Sequence, residues 1–393
     1  MTKAPACRVD FYGRDTLADP QPAYRAMLAA GPVVWLPAQN LHAICAFEAL
    51  TASLRDHRTF RSGHGVSIND DVNAILVGST LNSDPPEHDA TRAITFTPLT
   101  PKALQDVRDR IEAEANAIAD HVAAMGDFDA ARDLAPHVPL TTVRDLVGLG
   151  DRGKPRMLDW AAATFELMGD PRERRDTAVT NLREMRAFLD DRATLDGLAP
   201  DGWARRAIDR ATEQGVDPVR AVELMRDYIA PSLDTTISAI GYGIHLFARH
   251  PDQWDRLRAD RALMKPAIEE IVRLNTPIRA FTRRLDSAAS VAGVPLAAGE
   301  RVLMVFGAAN RDPARWDDPD GFDIGRDTRG HVGFGHGVHT CLGMHLARLE
   351  MTCLFGALAD RVARFEPLGP PATALNATIH AFASVPVRAI PAG

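Results

Sequence analysis

A mainly helical α+β fold, with one long central helix and small peripheral β-sheets, is the class this sequence predicts. Three observations carry that expectation. From Pro101 to about Arg249 apolar residues recur at helical spacing. The strand-like pieces are short and lie to either side of that block. One stretch, Pro218 to about Arg249, turns almost wholly apolar in its second half, as a helix through the middle of a core does.

Asp19-Pro20 to Ala30-Gly31-Pro32 reads as a short helix closed by a Gly-Pro stop. Val33–Leu36 and Leu41–Cys45 then read as two short strands. From Phe60 to Leu81 the chain is rich in Gly, Ser, Asn and Asp, which predicts a long loop of the kind often used as a functional lid. Val107, Ile111, Ala115, Ile118 and Val122 mark an amphipathic surface helix. The central stretch opens with Arg220, Glu223, Arg226 and Asp227, continues through Ile237, Ile240, Ile244 and Leu246, and is ended by Pro251-Asp252. It predicts one helix of about thirty residues. Past Thr276-Pro277 come strand-like pieces at 290–293 and 301–305.

The 393 residues are 46% hydrophobic, 25% charged and 6% aromatic, which excludes a disordered, collagenous or coiled-coil chain. A net charge of −7 gives no general attraction to nucleic acid or to an anionic membrane. No apolar run is long enough to span a bilayer, and MTKAPACRVDFYGRD lacks a signal-peptide stretch, so the chain is expected to be soluble and cytoplasmic, away from nucleic acid and membrane. Cys7, Cys45, Cys341 and Cys353 form no CxxC pair, which argues against a disulfide framework or a usual zinc site. Any cysteine chemistry therefore rests on one residue acting alone.

His331-Val332-Gly333-Phe334-Gly335-His336-Gly337-Val338-His339-Thr340-Cys341-Leu342-Gly343 is the strongest motif, followed by a helix expected from about Met344 to Ala359. Its glycines let backbone approach a flat ligand and turn N–H groups inward. A thiolate at that helix N-terminus is favoured by the dipole and by backbone donors; a buried structural cysteine after a turn is the plainer alternative. The full spacing Phe-Gly-x-Gly-x-His-x-Cys-x-Gly resembles the haem-thiolate loop of the cytochromes P450, soluble bacterial type. That resemblance extends over nearly the whole chain, and it implies the cytochrome P450 fold as one domain, 1–393.

What the resemblance implies can be set out residue by residue. Cys341 is the metal ligand of haem b, with Phe334 and Gly343 in the same cofactor loop. Glu270 and Arg273, in Glu-x-x-Arg, lie one helical turn apart and form a structural pair, where the sequence alone allows an ordinary solvated one. The segments 310–313 and 318–323 resemble the meander before the cysteine loop. His88 and Arg92, in Asp84-Pro85-Pro86-Glu87-His88-Asp89-Ala90-Thr91-Arg92, share a helical face, and with Arg283 and His339 give four donors for two haem propionates. Asp234 and Thr235 match the acid–alcohol pair that delivers protons during dioxygen reduction; the Thr235 hydroxyl can equally bond the carbonyl four residues back. The family usually has a small residue and glycine where this chain has Pro231-Ser232, and a proline there predicts a kink.

An axial thiolate favours O–O cleavage, so the implied reaction is monooxygenation of a C–H bond, with dioxygen as co-substrate. Electrons come from NAD(P)H through external partners, a ferredoxin and its reductase, since the chain has no flavin or NAD fingerprint. Arg326, Arg329 and Arg348 near the cysteine loop are a candidate positive patch for the ferredoxin, or plain solvated arginines.

Within the family, the wording from Val302 to Gly343 and around Ile278–Phe281 resembles bacterial enzymes that O-demethylate para-methoxybenzoate and related small aromatics. Carried over, Phe165, Met168, Leu233, Ile278 and Phe281 wall an apolar slot, or are plain core. His64 and Ser67, with Ser62 and Asn69, offer the polar end from the long loop. Asp227 conflicts with a carboxylate substrate unless it points away or pairs with Arg226 or Arg220; a neutral phenol or methoxyarene is the alternative. Three rivals remain. Ala162, Ala163 and Ala280 keep open a hydroxylase of a bulkier natural product. The others are a haem-thiolate sensor without turnover, and a peroxide-driven enzyme; the intact Asp234-Thr235 pair argues against both.

Overall fold

The protein is described from a computed structural model that covers residues 3–216 and 218–392; the side chains at 218–220 and 223, Arg220 among them, also lie outside the described set. The amphipathic pattern at 107–122 becomes the helix Gln105–Met125, which buries Val107, Ile111, Ala115, Ile118 and Val122 as the spacing requires. The first helix of the sequence reading runs Gln21–Ala30 and stops at Gly31.

The sheets are small, as expected. Five strands run in the order Val33–Leu36, Leu41–Ile44, Arg301–Met304, Phe281–Leu285, Phe60–Arg61. The second and third are parallel and the other neighbours antiparallel. The piece at 290–293 forms a hairpin, Ala289–Val291 with Val294–Leu296. The long loop differs from expectation, because Asp70–Leu76 inside it is helical. Asp70 and Asp71 lie in its first turn, where negative charge complements the exposed N–H groups.

The largest correction concerns the central helix. In place of one helix of about thirty residues there are two, Pro218–Arg226 and Ala230–Arg249, with a break between them. At the break the N–H groups of Asp227, Tyr228 and Ile229 bond to carbonyls three residues back, at 3.1–3.2 Å. The interruption expected at Pro231 is thus a full break just before it, not a kink within one helix. Pro231 sits in the first turn of the second helix, where a proline has no intrahelical N–H partner to lose. The break is held from outside: the Tyr228 hydroxyl donates to the Thr95 carbonyl at 2.8 Å, and the Thr80 N–H donates to the Asp227 carboxylate at 3.1 Å. Ala230–Arg249 buries Leu233, Ala239, Ile240, Ile244 and Phe247, and packs on Met157–Met168, Met264–Asn275 and Met344–Arg361. These helices enclose the cavity described next.

Candidate active site

The cysteine loop is shaped by its own backbone. The Cys341 N–H donates to the Phe334 carbonyl at 2.8 Å, closing the turn, and the Val332 N–H donates to the Asn310 side chain at 2.8 Å. Gly335 and Gly337 have φ of 72° and 73°, a region that penalises any Cβ. At Gly337 a Cβ would also come within 2.5 Å of the Leu54 carbonyl. The helix that follows runs Met344–Arg361, slightly beyond the expected end.

Cys341, Phe334, Gly343 and His339 line one cavity together with Arg92, Arg283, Thr235, Phe165, Met168, Ile278 and Phe281. Burial pushes the Cys341 thiol up, while the N–H groups of Gly343 and Met344 and the charges of Arg92 and Arg348 pull the other way. The expected donors are thus present, but burial outweighs them, and a coordinated metal would remove the proton outright.

On one side of the loop four basic groups crowd together. The His88 and His339 rings lie 4.5 Å apart, and the Nε2 atoms of both are buried without a hydrogen-bond partner among the described residues. Arg283 is 4% exposed; its guanidinium donates to the Thr282 carbonyl at 2.8 Å, and burial moves it down to about 10. Arg92 donates to the Thr340 carbonyl at 2.8 Å. Burial first, then Arg283, His88 and Arg92, push His339 down to about 2. Orphaned buried donors packed this closely fit an anionic ligand that accepts from several of them. The donor set therefore fits the two carboxylates of a haem whose iron lies at Cys341.

Glu270 and Arg273 are both fully buried. Arg273 donates to Glu270 through Nε at 2.7 Å and Nη2 at 2.8 Å, and through Nη1 to the carbonyls of Asn310 and Pro319 at 2.8 Å. Glu270 also accepts from Arg326 Nε at 3.0 Å. A helix surface pair would be worth little; this one pins Met264–Asn275 to the segment that leads into the cysteine loop.

The candidate positive patch is altered by these pairings. Arg326 is spent on Glu270, Arg329 pairs with Asp327, and Arg348 grips Glu269 at 2.6 and 2.8 Å. Against the upward push of burial, His331 and Arg348 hold Glu269 down at about 2. Arg329 and Arg348 each have an acid beside them, while Arg326 shares the Glu270 carboxylate with Arg273.

Above the cysteine, Thr235 faces the cavity and its hydroxyl donates to the Pro231 carbonyl at 2.9 Å, so the back-bonding reading and the cavity position hold together. Burial alone pushes the Asp234 carboxyl up to about 7.

Three expected substrate residues are not brought to the cavity. Leu233 is fully buried in the main core, on the other side of its helix from Thr235. His64 is exposed, and its carbonyl accepts from Arg301. Ser67 is buried, but its hydroxyl donates to the Leu167 carbonyl at 3.0 Å and ties the loop down. Among the lining residues that were not anticipated are Thr80 and Leu81, placed by the fold of the loop, and Glu350, a lone acid in the apolar run Leu349-Glu350-Met351.

The comparisons agree with this geometry. The sequence profile described as Cytochrome P450 matches residues 220–376. Cytochrome p450 CYP199A2 of Rhodopseudomonas palustris is 37% identical, over 99% of this chain and 95% of that protein. Cytochrome P450 monooxygenase PikC of Streptomyces venezuelae is 30% identical, over 91% of this chain and 87% of that protein. The structure of Mycobacterium marinum cytochrome P450 CYP268A2 in complex with pseudoionone superposes with a TM-score of 0.86 at 26% identity, covering 99% of this chain and all of that one. No helix among the described residues is long and apolar enough to cross a membrane. Family members use haem b, dioxygen and electrons from NAD(P)H delivered through redox partners. With its cysteine loop, its buried Glu-x-x-Arg pair and its full-length relatives in accord, the chain belongs to the cytochrome P450 family, as a haem-thiolate monooxygenase.

Proposed function

We propose that this monooxygenase acts on a small aromatic molecule, hydroxylating it or, where the attacked carbon bears an ether oxygen, O-demethylating it. The observation that carries the reading is the wall of the cavity. Phe165, Met168, Ile278 and Phe281, with Leu81, form a tight apolar set suited to one planar ring. The small residues that would widen it for a bulkier natural product, Ala162, Ala163 and Ala280, are not among the residues lining the cavity. The resemblance of 278–281 and 302–343 to the methoxybenzoate demethylases supports the same choice.

Haem bound at Cys341 supplies dioxygen activation and oxygen-atom insertion. The chain's own residues do the rest. His88, Arg92, Arg283 and His339 would hold the propionates, Phe334 and Gly343 belong to the loop that would receive the haem, and Glu270–Arg273 keeps that loop in place. Asp234 holds a proton near neutral pH, and Thr235 offers a hydroxyl inside the cavity through which it passes. The ferredoxin and its reductase remain the proposed electron source.

Asp227 is among the lining residues, and its carboxylate accepts from the Thr80 N–H. A benzoate entering the slot brings a second carboxylate to that wall, and a neutral arene does not. Optical titration of the ferric holoprotein tests both points. Small para-substituted arenes are expected to shift the Soret band and macrolide- or steroid-sized ligands are not, with amides and phenols acting at lower concentration than the matching acids. A shift with the large ligands alone would overturn the small-ring reading, and tighter binding of the acids would overturn the role of Asp227.

A further inference from the structure

The wall of the haem cavity carries an acid that the oxygen chemistry has not used. Glu350 stands on the helix Met344–Arg361 on the same side as Gly343, Leu346 and Ala347, which line the cavity with it. Its side chain is 1% exposed, and its Oε1 has no hydrogen-bond partner among the described residues. Water cannot reach it freely, yet it looks onto the space in which the family's cofactor changes charge.

The charges on the elements packed around that helix are engaged elsewhere. Helix Gln105–Met125 brings Arg108 and Glu112, which pair with each other and bear on Cys353. Helix Met264–Asn275 brings Glu269, held by Arg348 and His331. Arg258 of helix Pro251–Ala259 donates to the carbonyls of Ala359 and Ala363. The central helix brings Asp234. From His137–Val147 comes Thr142, whose hydroxyl is the one group acting to favour an ionised Glu350.

We propose that Glu350 is the group that takes up a proton when the bound haem is reduced. One electron arrives from the redox partner, and one proton from solvent forms an O–H bond on the Glu350 carboxylate, so the buried wall gains no net charge. A unit of negative charge added to a water-poor cavity raises the proton affinity of any carboxylate facing it. Burial already pushes Glu350 up to about 8. Below that pH the carboxyl is protonated in both redox states and reduction takes up no proton. Above it, up to the higher value the reduced state gives the carboxyl, the oxidised state is ionised and the reduced state is not, so the two processes couple. The inference rests on the haem site alone and is independent of which substrate the enzyme takes.

The test is a spectroelectrochemical titration of substrate-free holoprotein between about pH 6.5 and about pH 9.5. The wild-type midpoint is expected to fall above about pH 8 with the slope of one proton per electron. Glu350→Gln keeps the shape and loses the charge, and its midpoint should lose the break near pH 8 and run level above it. Asp234→Asn removes any separate step near pH 7 and should leave the upper break in place. Thr142→Val takes away the donor that favours the ionised form and should move the break to higher pH, which preserves the test if Glu350→Gln takes up no haem. A level wild-type midpoint, an unchanged slope in Glu350→Gln, or an unmoved break in Thr142→Val would each overturn the assignment.

Discussion

Cys341→Ser is expected to lose monooxygenase turnover by at least about 10³-fold, roughly 4 kcal/mol of barrier, while keeping the fold. The loop does not depend on sulfur for its shape. Its turn is fixed by the Cys341 N–H on the Phe334 carbonyl, the Val332 N–H on Asn310, and Arg92 on the Thr340 carbonyl, none of which involves the side chain being changed. Serine has a similar size and leaves these bonds in place. What disappears is the thiolate, and with it the electron density that favours O–O cleavage. Circular dichroism and thermal unfolding of the apoprotein should therefore match wild type, while haem retention falls and the spectrum of the reduced carbon monoxide complex loses its thiolate signature. Turnover within tenfold of wild type would mean that Cys341 is not the ligand.

Asp234→Asn carries the second largest effect, a turnover loss of about 10²-fold or more, as for removal of a positioned proton donor. The carboxyl is pushed up to about 7 because burial disfavours its charged form. The acid form that donates is therefore lost as pH rises through about 7, and the part of turnover that depends on Asp234 should decline there. The asparagine variant should show no such limb. Stability has a definite sign as well. The folded state binds more protons than the unfolded state between the ordinary carboxyl value, 3.8, and about 7, so stability falls as pH rises through that window. Asparagine carries no such penalty. The variant should unfold at a higher temperature than wild type at about pH 8, and the difference should shrink toward about pH 4. Unchanged turnover, or a stability gain that grows in acid, would contradict this account.

Much of the site was legible because its chemistry is written in local spacing. The glycines and the single cysteine of 333–343 admit few backbone paths, and the helix after Gly343 follows directly. The Glu270–Arg273 pair was visible as an i, i+3 contact, but its importance comes from complete burial and from carbonyls at 310 and 319, which no local pattern reveals. The same holds for Arg326, whose partner lies far back in the chain.

What misled the reading was the face of the central helix. With the break at 227–229 and the new helix beginning at Ala230, residues 231, 232, 235, 236 and 239 look onto the cavity. Leu233 is two residues from Thr235, about 200° around the helix, and must enter the core. Pro231 is the one signal of an interruption in the run, and the break itself is secured by Thr80 and Thr95 from other segments. The loop from Phe60 to Leu81 was similarly opaque. Ser67 and His64 looked available by type, but the backbone path turns one into an anchor and leaves the other on the surface.

The most direct test of the central claim is product analysis under isotopically labelled dioxygen, with NAD(P)H, a ferredoxin and its reductase, and a para-methyl arene as substrate. The account predicts a benzylic alcohol carrying one labelled oxygen atom, and formaldehyde with the corresponding phenol when a para-methoxy arene is supplied. A product whose oxygen comes from water, or oxidation of bulky natural products with none of small arenes, would contradict it.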